Sequence, residues 1–191
     1  MLLMKALNKD QVKLSNLIAP IVLIALAVNP YTEIQESHLE FLFMLSHYAL
    51  FIGGFLLAYK LLKLPSISVL GGIFLAVLWH IPYFFALAAA FPVFRALNDT
   101  TLIIGGIMAG GSLSSLNNGF KLSLLVAWMG ADTVLAILLL AGWPPYSNII
   151  YPFSPFPESQ EFLTGLSMFF VMFVIFLIAI ANFLRTTFKL M

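Results

Sequence analysis

Six runs of apolar residues, at about 14–29, 38–59, 66–90, 101–116, 122–142 and 161–184, leave this chain few folds to choose from. A hydrocarbon core about 30 Å thick is crossed by roughly 20 helical residues. Inside that core the backbone must satisfy its own hydrogen bonds, which only helices and closed barrels do. The composition agrees: 62% of the residues are hydrophobic, 9% are charged, and the mean hydropathy is +1.04, against roughly 45–50% apolar and about 25% charged in soluble domains. The expectation is an all-α, polytopic transmembrane helical bundle of six helices, one domain over residues 1–191 in the plasma membrane. The first run is the shortest, and its Pro20 needs neighbours that satisfy the carbonyl it frees.

Lys and Arg are retained on the cytoplasmic side when short loops are threaded. With six spans and the N-terminus inside, Lys5, Lys9, Lys13, Lys60, Lys63, Lys121, Arg185 and Lys189 all fall inside, and Arg95 falls outside. The acids run the other way, with Glu33, Glu36, Glu40, Asp99, Glu158 and Glu161 external, Asp10 internal and Asp132 within the fifth run. Both termini are therefore expected in the cytoplasm. The Met1-Leu2-Leu3-Met4-Lys5 start lacks the charged region and cleavage site of a signal peptide, so the first span is expected to stay in the mature protein.

Cysteine is absent, which excludes disulfides, thiolate metal sites and iron–sulfur clusters. The connections are too short to hold a soluble catalytic or nucleotide-binding domain, and neither a nucleic-acid partner nor independent enzymatic activity is expected. The longest connection, residues 143–160, is rich in proline and aromatics. It reads as a loop lying on the outer surface, or as a lid or docking surface for an extracytoplasmic partner. Gly105, Gly106, Gly110 and Gly111 make a small-residue stripe that a neighbouring helix or a flat cofactor would contact.

Polar residues inside a membrane are functional candidates by default. His47 and His80 lie on what read as antiparallel neighbouring helices, about 23 Å and about 24 Å from their connecting turn at 1.5 Å per residue. Such a pair would ligate one metal ion, or the iron of one haem b from both sides, or would make interhelical hydrogen bonds to Ser46, Tyr83, Thr100 or a carbonyl freed by Pro82. Glu40, two turns above His47 on the same face with Met44 between, would be a further ligand or would support one. His38 points away and reads as interfacial. Asp132 is either a structural hydrogen-bonding group or part of a proton path, with no partner evident. Arg95 and Asp99, four residues apart, are expected to pair, with Arg95 placed to neutralise a haem propionate. Asn98-Asp99-Thr100 matches a glycosylation acceptor but sits too close to the bilayer for modification.

Phe43-Met44-Leu45-Ser46-His47, Leu78-Trp79-His80-Ile81-Pro82 and Arg95-Ala96-Leu97-Asn98-Asp99 together resemble the core of the CtaG-type assembly factors of haem-copper oxidases, over roughly residues 43–111. That family typically has histidine pairs where this chain has Phe43 and Asp99. The chain also resembles a group of small archaeal polytopic membrane proteins of unknown function. The first resemblance implies copper handling in oxidase maturation, with His47, His80, Glu40 and Asp99 as candidate metal ligands. Copper(I) favours several soft donors, whereas a bis-histidine haem needs only the two histidines that remain. The leading expectation is thus a haem b-binding subunit or accessory protein of an aerobic respiratory complex, partnered by its other membrane subunits. The alternatives are a copper-handling assembly factor and a cofactor-free structural subunit.

Overall fold

A computed structural model of the protein describes residues 7–188. Lys5, Lys189 and the Met1–Lys5 stretch lie outside the described residues. Eight α-helices appear among those residues: α1 (Leu14–Ala27), α2 (Pro30–Glu36), α3 (Glu40–Tyr59), α4 (Ser68–His80), α5 (Pro82–Ala90), α6 (Pro92–Ser112), α7 (Asn118–Leu140) and α8 (Glu161–Phe188). Glu40–Tyr59, Asn118–Leu140 and Glu158–Asn182 are each long and apolar enough to cross a membrane, and α1 with α2 and α4 with α5 qualify as bent pairs, giving three to five spans.

Prolines set the boundaries that differ from expectation. The 66–90 run is broken by a 73° bend between α4 and α5. Pro82 drives the residue before it out of the helical region, and Ile81 is extended at φ −71°, ψ 127°. Pro92 does the same to Phe91 (φ −120°, ψ 123°), so the fourth run becomes a helix that starts at Pro92, nine residues before the apolar stretch. The first run ends at Ala27, where Asn29 caps a separate short helix by accepting from the Tyr31 and Thr32 amides at 3.1 and 3.0 Å.

α6 is the central element. It packs against both α3 and α4 and lies between them, so those two helices are not the adjacent neighbours their short turn suggests. Glycine makes this possible. A Cβ on Gly106 or Gly110 would strike the Phe51 or Phe55 carbonyl of α3, and one on Gly72 of α4 would sit 2.6 Å from the Gly105 carbonyl. The stripe is filled by helix backbone on two sides. α6 does not rank among the apolar spans; its first half carries Arg95, Asn98, Asp99, Thr100 and Thr101, which lower its hydropathy.

Residues 143–160 form a loop that is part exposed and part folded into the bundle. Two short 3-10 turns, Pro144–Tyr146 and Glu158–Gln160, frame a segment whose Tyr146, Ser147, Ser154 and Phe156 are buried. An Asn148 N–H to Phe156 carbonyl bond of 2.8 Å folds it back on itself. Phe156 sits on Phe43 and Phe85, with ring centroids 5.8 and 6.1 Å away. This end of the bundle is called the loop end below.

Gly106→Ala is expected to destabilise the detergent-solubilised protein by about 1–3 kcal/mol, the range for overpacking. Gly130→Ala, where nothing lies within 4 Å of the new methyl, should leave stability unchanged or slightly raised. Denaturant unfolding followed by circular dichroism compares the two.

Candidate functional site

His47 projects from α3, and His80 is the last residue of α4. The helix break at Ile81 lets the second ring reach the first, with centroids 5.7 Å apart and planes at 73°. Each Nδ1 lies 2.8 Å from a carbonyl one turn back in its own helix, Phe43 O for His47 and Ala76 O for His80. A carbonyl only accepts, so each neutral imidazole carries its proton on Nδ1 and turns an Nε2 lone pair inward. Both Nε2 atoms are buried and have no hydrogen-bond partner. A third group joins them. Asn98 is fully buried and lies beside His47; its amide donates to Asp99 Oδ1 at 3.0 Å, and its Oδ1 is unpartnered.

The expected interhelical partners Ser46 and Thr100 do not bond the rings; the group of another helix within reach of His47 is Asn98 of α6. Ser46 donates to Glu36, Thr100 to its own helix at Ala96 O (2.7 Å), and the His80 carbonyl accepts from Tyr146 of the loop. Burial holds the Tyr146 phenol above its usual range, so it remains a donor there. The walls of the site are aromatic. Phe43 meets His47 edge-on at 4.5 Å and Phe85 lies at 5.9 Å.

Arg95 does not pair with Asp99. Its guanidinium is 3.7 Å from Glu33 and 3.9 Å from Glu36, both on α2, and donates to the carbonyls of Glu33, Ala88 and Ala89. It also stands 5.0 Å over the face of Phe43, the ring that abuts His47. The carbonyls at 88 and 89 are free to accept because Pro92 interrupts the helix just beyond them. All three nitrogens of the guanidinium are thus engaged by protein groups. Glu33, Arg95 and Asp99 line a cavity of about 340 Å³ at the loop end.

The remaining predicted residues scatter. Glu40 does not support the histidines; it is fully buried at the start of α3 and faces Glu161 at the start of α8. Asp99 belongs to the Arg95 cluster. Asp132 has a partner after all, the Tyr48 hydroxyl at 2.7 Å, which ties α7 to α3. His38 is exposed, and its carbonyl accepts from Gln160. Among the described residues no three His, Asp or Glu side chains converge on one point. Asn98, Tyr146 and Glu161 are the participants sequence reading passed over. Asn98 lies three residues after Arg95, one turn along the same face, which is the signal that could have found it.

The same geometry tests the two cofactors. A metal–nitrogen bond of about 2 Å puts the centroids of two imidazoles on one ion roughly 6 Å apart, and 5.7 Å is observed. The ring spacing is thus that of two imidazoles on a single ion. A haem needs that spacing and also a flat slot around it. Phe43, Phe85 and Phe156 are fully buried around His47, and α6 fills the glycine stripe. Haem b therefore does not fit the packed site.

Removing the Arg95 charge strands Glu33 and Glu36 at the buried edge of the site. Arg95→Met should cost about 3–5 kcal/mol of unfolding free energy, the range for breaking a buried pair. Adding Glu36→Gln should recover part of that loss. A double-mutant cycle on detergent-solubilised protein reads both.

No curated protein and no solved structure matches the chain. A family model described as "Protein of unknown function (DUF1404)" matches residues 18–186, nearly the whole helical bundle. The chain belongs to the DUF1404 family.

Proposed function

We propose that this protein is a small polytopic accessory protein of the plasma membrane that carries one copper(I) ion between His47 and His80 for an aerobic respiratory complex. The observation that supports this reading is the pair of buried Nε2 atoms, each without a partner and each held in the metal-binding tautomer by its own helix. Two neutral nitrogens, with Asn98 Oδ1 nearby, are too few for the four-coordinate shell that zinc takes in proteins. They suit a monovalent ion that accepts low coordination, and imidazole is an established copper donor.

Neutral donors also keep the energetic cost of the site small. An imidazole buried without its ion loses one hydrogen bond to water, whereas a carboxylate at that depth leaves a charge uncompensated. Such a site can be empty or loaded without unfolding the bundle, as a carrier requires. The link to respiration comes from the resemblance of Phe43–His47, Leu78–Pro82 and Arg95–Asp99 to the CtaG-type factors. In the orientation favoured by the lysines, the loop end faces outward, and the ion would be exchanged from that side beneath Tyr146 and Phe156.

The test is anaerobic titration of the detergent-purified protein with copper(I) against a chromogenic chelator, with an optical spectrum of the same sample before and after dithionite. About one copper per chain is expected, lost in His47→Ala and in His80→Ala and kept in His38→Ala. No copper bound by the wild type, copper retained by both core variants, or the reduced α band of a b-type haem each overturns the reading.

A further inference from the structure

We propose that Glu40, Glu161 and Thr164 form a second site, built of oxygen ligands, that takes one divalent cation between the loop ends of α3 and α8. Glu40 and Glu161 are the first residues of these helices. Both are fully buried, and all four of their carboxyl oxygens lack a hydrogen-bond partner.

Thr164 supplies the second observation. It is fully buried and lies beside Glu40, and it donates its hydroxyl proton to the Gln160 carbonyl at 3.0 Å. Its hydroxyl oxygen also lies within hydrogen-bonding reach of the Glu40 carboxyl, so it adds a third oxygen to the pair. The donors that flank the cluster are committed elsewhere. Gln160 Nε2 donates to His38 O at 2.9 Å, and the Tyr146 hydroxyl, which faces Glu40, donates to His80 O. Arg95, the cation of this end, is spent on Glu33 and Glu36.

Two fully buried carboxylates side by side, with no cation of the protein between them, are costly unless something positive joins them. Two carboxylates match the charge of one divalent ion. Oxygen-only ligands select hard cations such as Ca²⁺, Mg²⁺ or Mn²⁺ over copper(I). The site is already braced for that role, because the Glu40 backbone N–H donates to Gln160 Oε1 at 2.7 Å and clamps the two helix starts together. A bound ion would pin α8 to α3 and seat the 143–160 segment that packs over the histidines. Glu40 is seven residues from His47, about 10 Å along α3, so the two sites are separate and this proposal does not depend on copper.

The test uses the full-length protein in detergent, stripped with EDTA and titrated with Mn²⁺ followed by electron paramagnetic resonance and with Ca²⁺ followed by calorimetry. About one ion per chain is expected, accompanied by a rise in the thermal unfolding midpoint. Glu40→Gln and Glu161→Gln should each weaken binding by about tenfold or more, and Thr164→Val by less. His47→Ala and His80→Ala should bind the divalent ion as the wild type does, which separates failure here from failure of the copper site. Absence of binding by the wild type, or undiminished binding in both glutamine variants, overturns the proposal. So does an infrared carboxylic-acid band in ion-free protein that persists in excess Ca²⁺ and is lost in either glutamine variant, because the pair then holds a proton.

Discussion

Close backbone contact along α6 is the constraint on which the other features rest. Gly106 and Gly110 bring this helix against the Phe51 and Phe55 carbonyls of α3, and Gly105 meets Gly72 of α4. In a bilayer, helices gain little from hiding apolar surface, because lipid is as apolar as they are. Association then depends on how many atoms two backbones can place in contact. A helix with no side chains on two faces can sit between two others at minimal distance, and here that sets the separation of α3 from α4. The histidines meet across the end of that wedge, where α4 stops.

Where α4 stops is set by Pro82. A straight continuation through Ile81 would keep the His80 carbonyl inside a helix, with no acceptor to offer Tyr146. The 73° bend frees that carbonyl, and Tyr146 takes it. The break thus does two jobs: it frees the His80 ring to reach His47, and it gives the 143–160 segment an anchor. Pro92 repeats the device one helix later, and its freed carbonyls hold Arg95. Irregular backbone at membrane depth is tolerated only where protein covers it, and at both breaks the cover comes from a residue distant in sequence.

The helical class and the apolar segments were legible because both follow from local hydropathy. The approach of His47 to His80 was also legible, but for a reason that does not hold. Equal distance from the 60–65 turn placed them at one depth, yet α6 lies between their helices, and they meet because α4 bends. The bent runs were readable in principle, since Pro82 and Pro92 dictate extended residues before them; what hid them was the continuous apolarity on either side. The partners of Arg95, Asp132 and Glu40 were not readable. Each lies across the bundle, 62, 84 and 120 residues away in sequence, and hydropathy carries no information about which polar residues share a level and a face.

The polar interior follows a gradient that simple electrostatics would impose. Carboxylates and the guanidinium gather at the loop end, in Glu33, Glu36, Asp99, Arg95, Glu40 and Glu161, where helix N-termini and nearby water lower the cost of charge. Two turns deeper along α3 than Glu40 the polar group is an uncharged imidazole, His47, which meets His80 and lies beside Asn98. Asp132 is the exception, and it is the carboxyl tied to a buried tyrosine. Two clusters in this interior present buried atoms without hydrogen-bond partners, one of oxygens in Glu40 and Glu161 and one of nitrogens in His47 and His80. Their donor atoms differ in softness, so a hard ion held by the glutamates would not compete with a soft ion for the histidines. A bundle that kept both would be locked at its rim by one metal while exchanging another beneath it. That division requires the two sites to sit at different depths, as seven residues of α3 ensure.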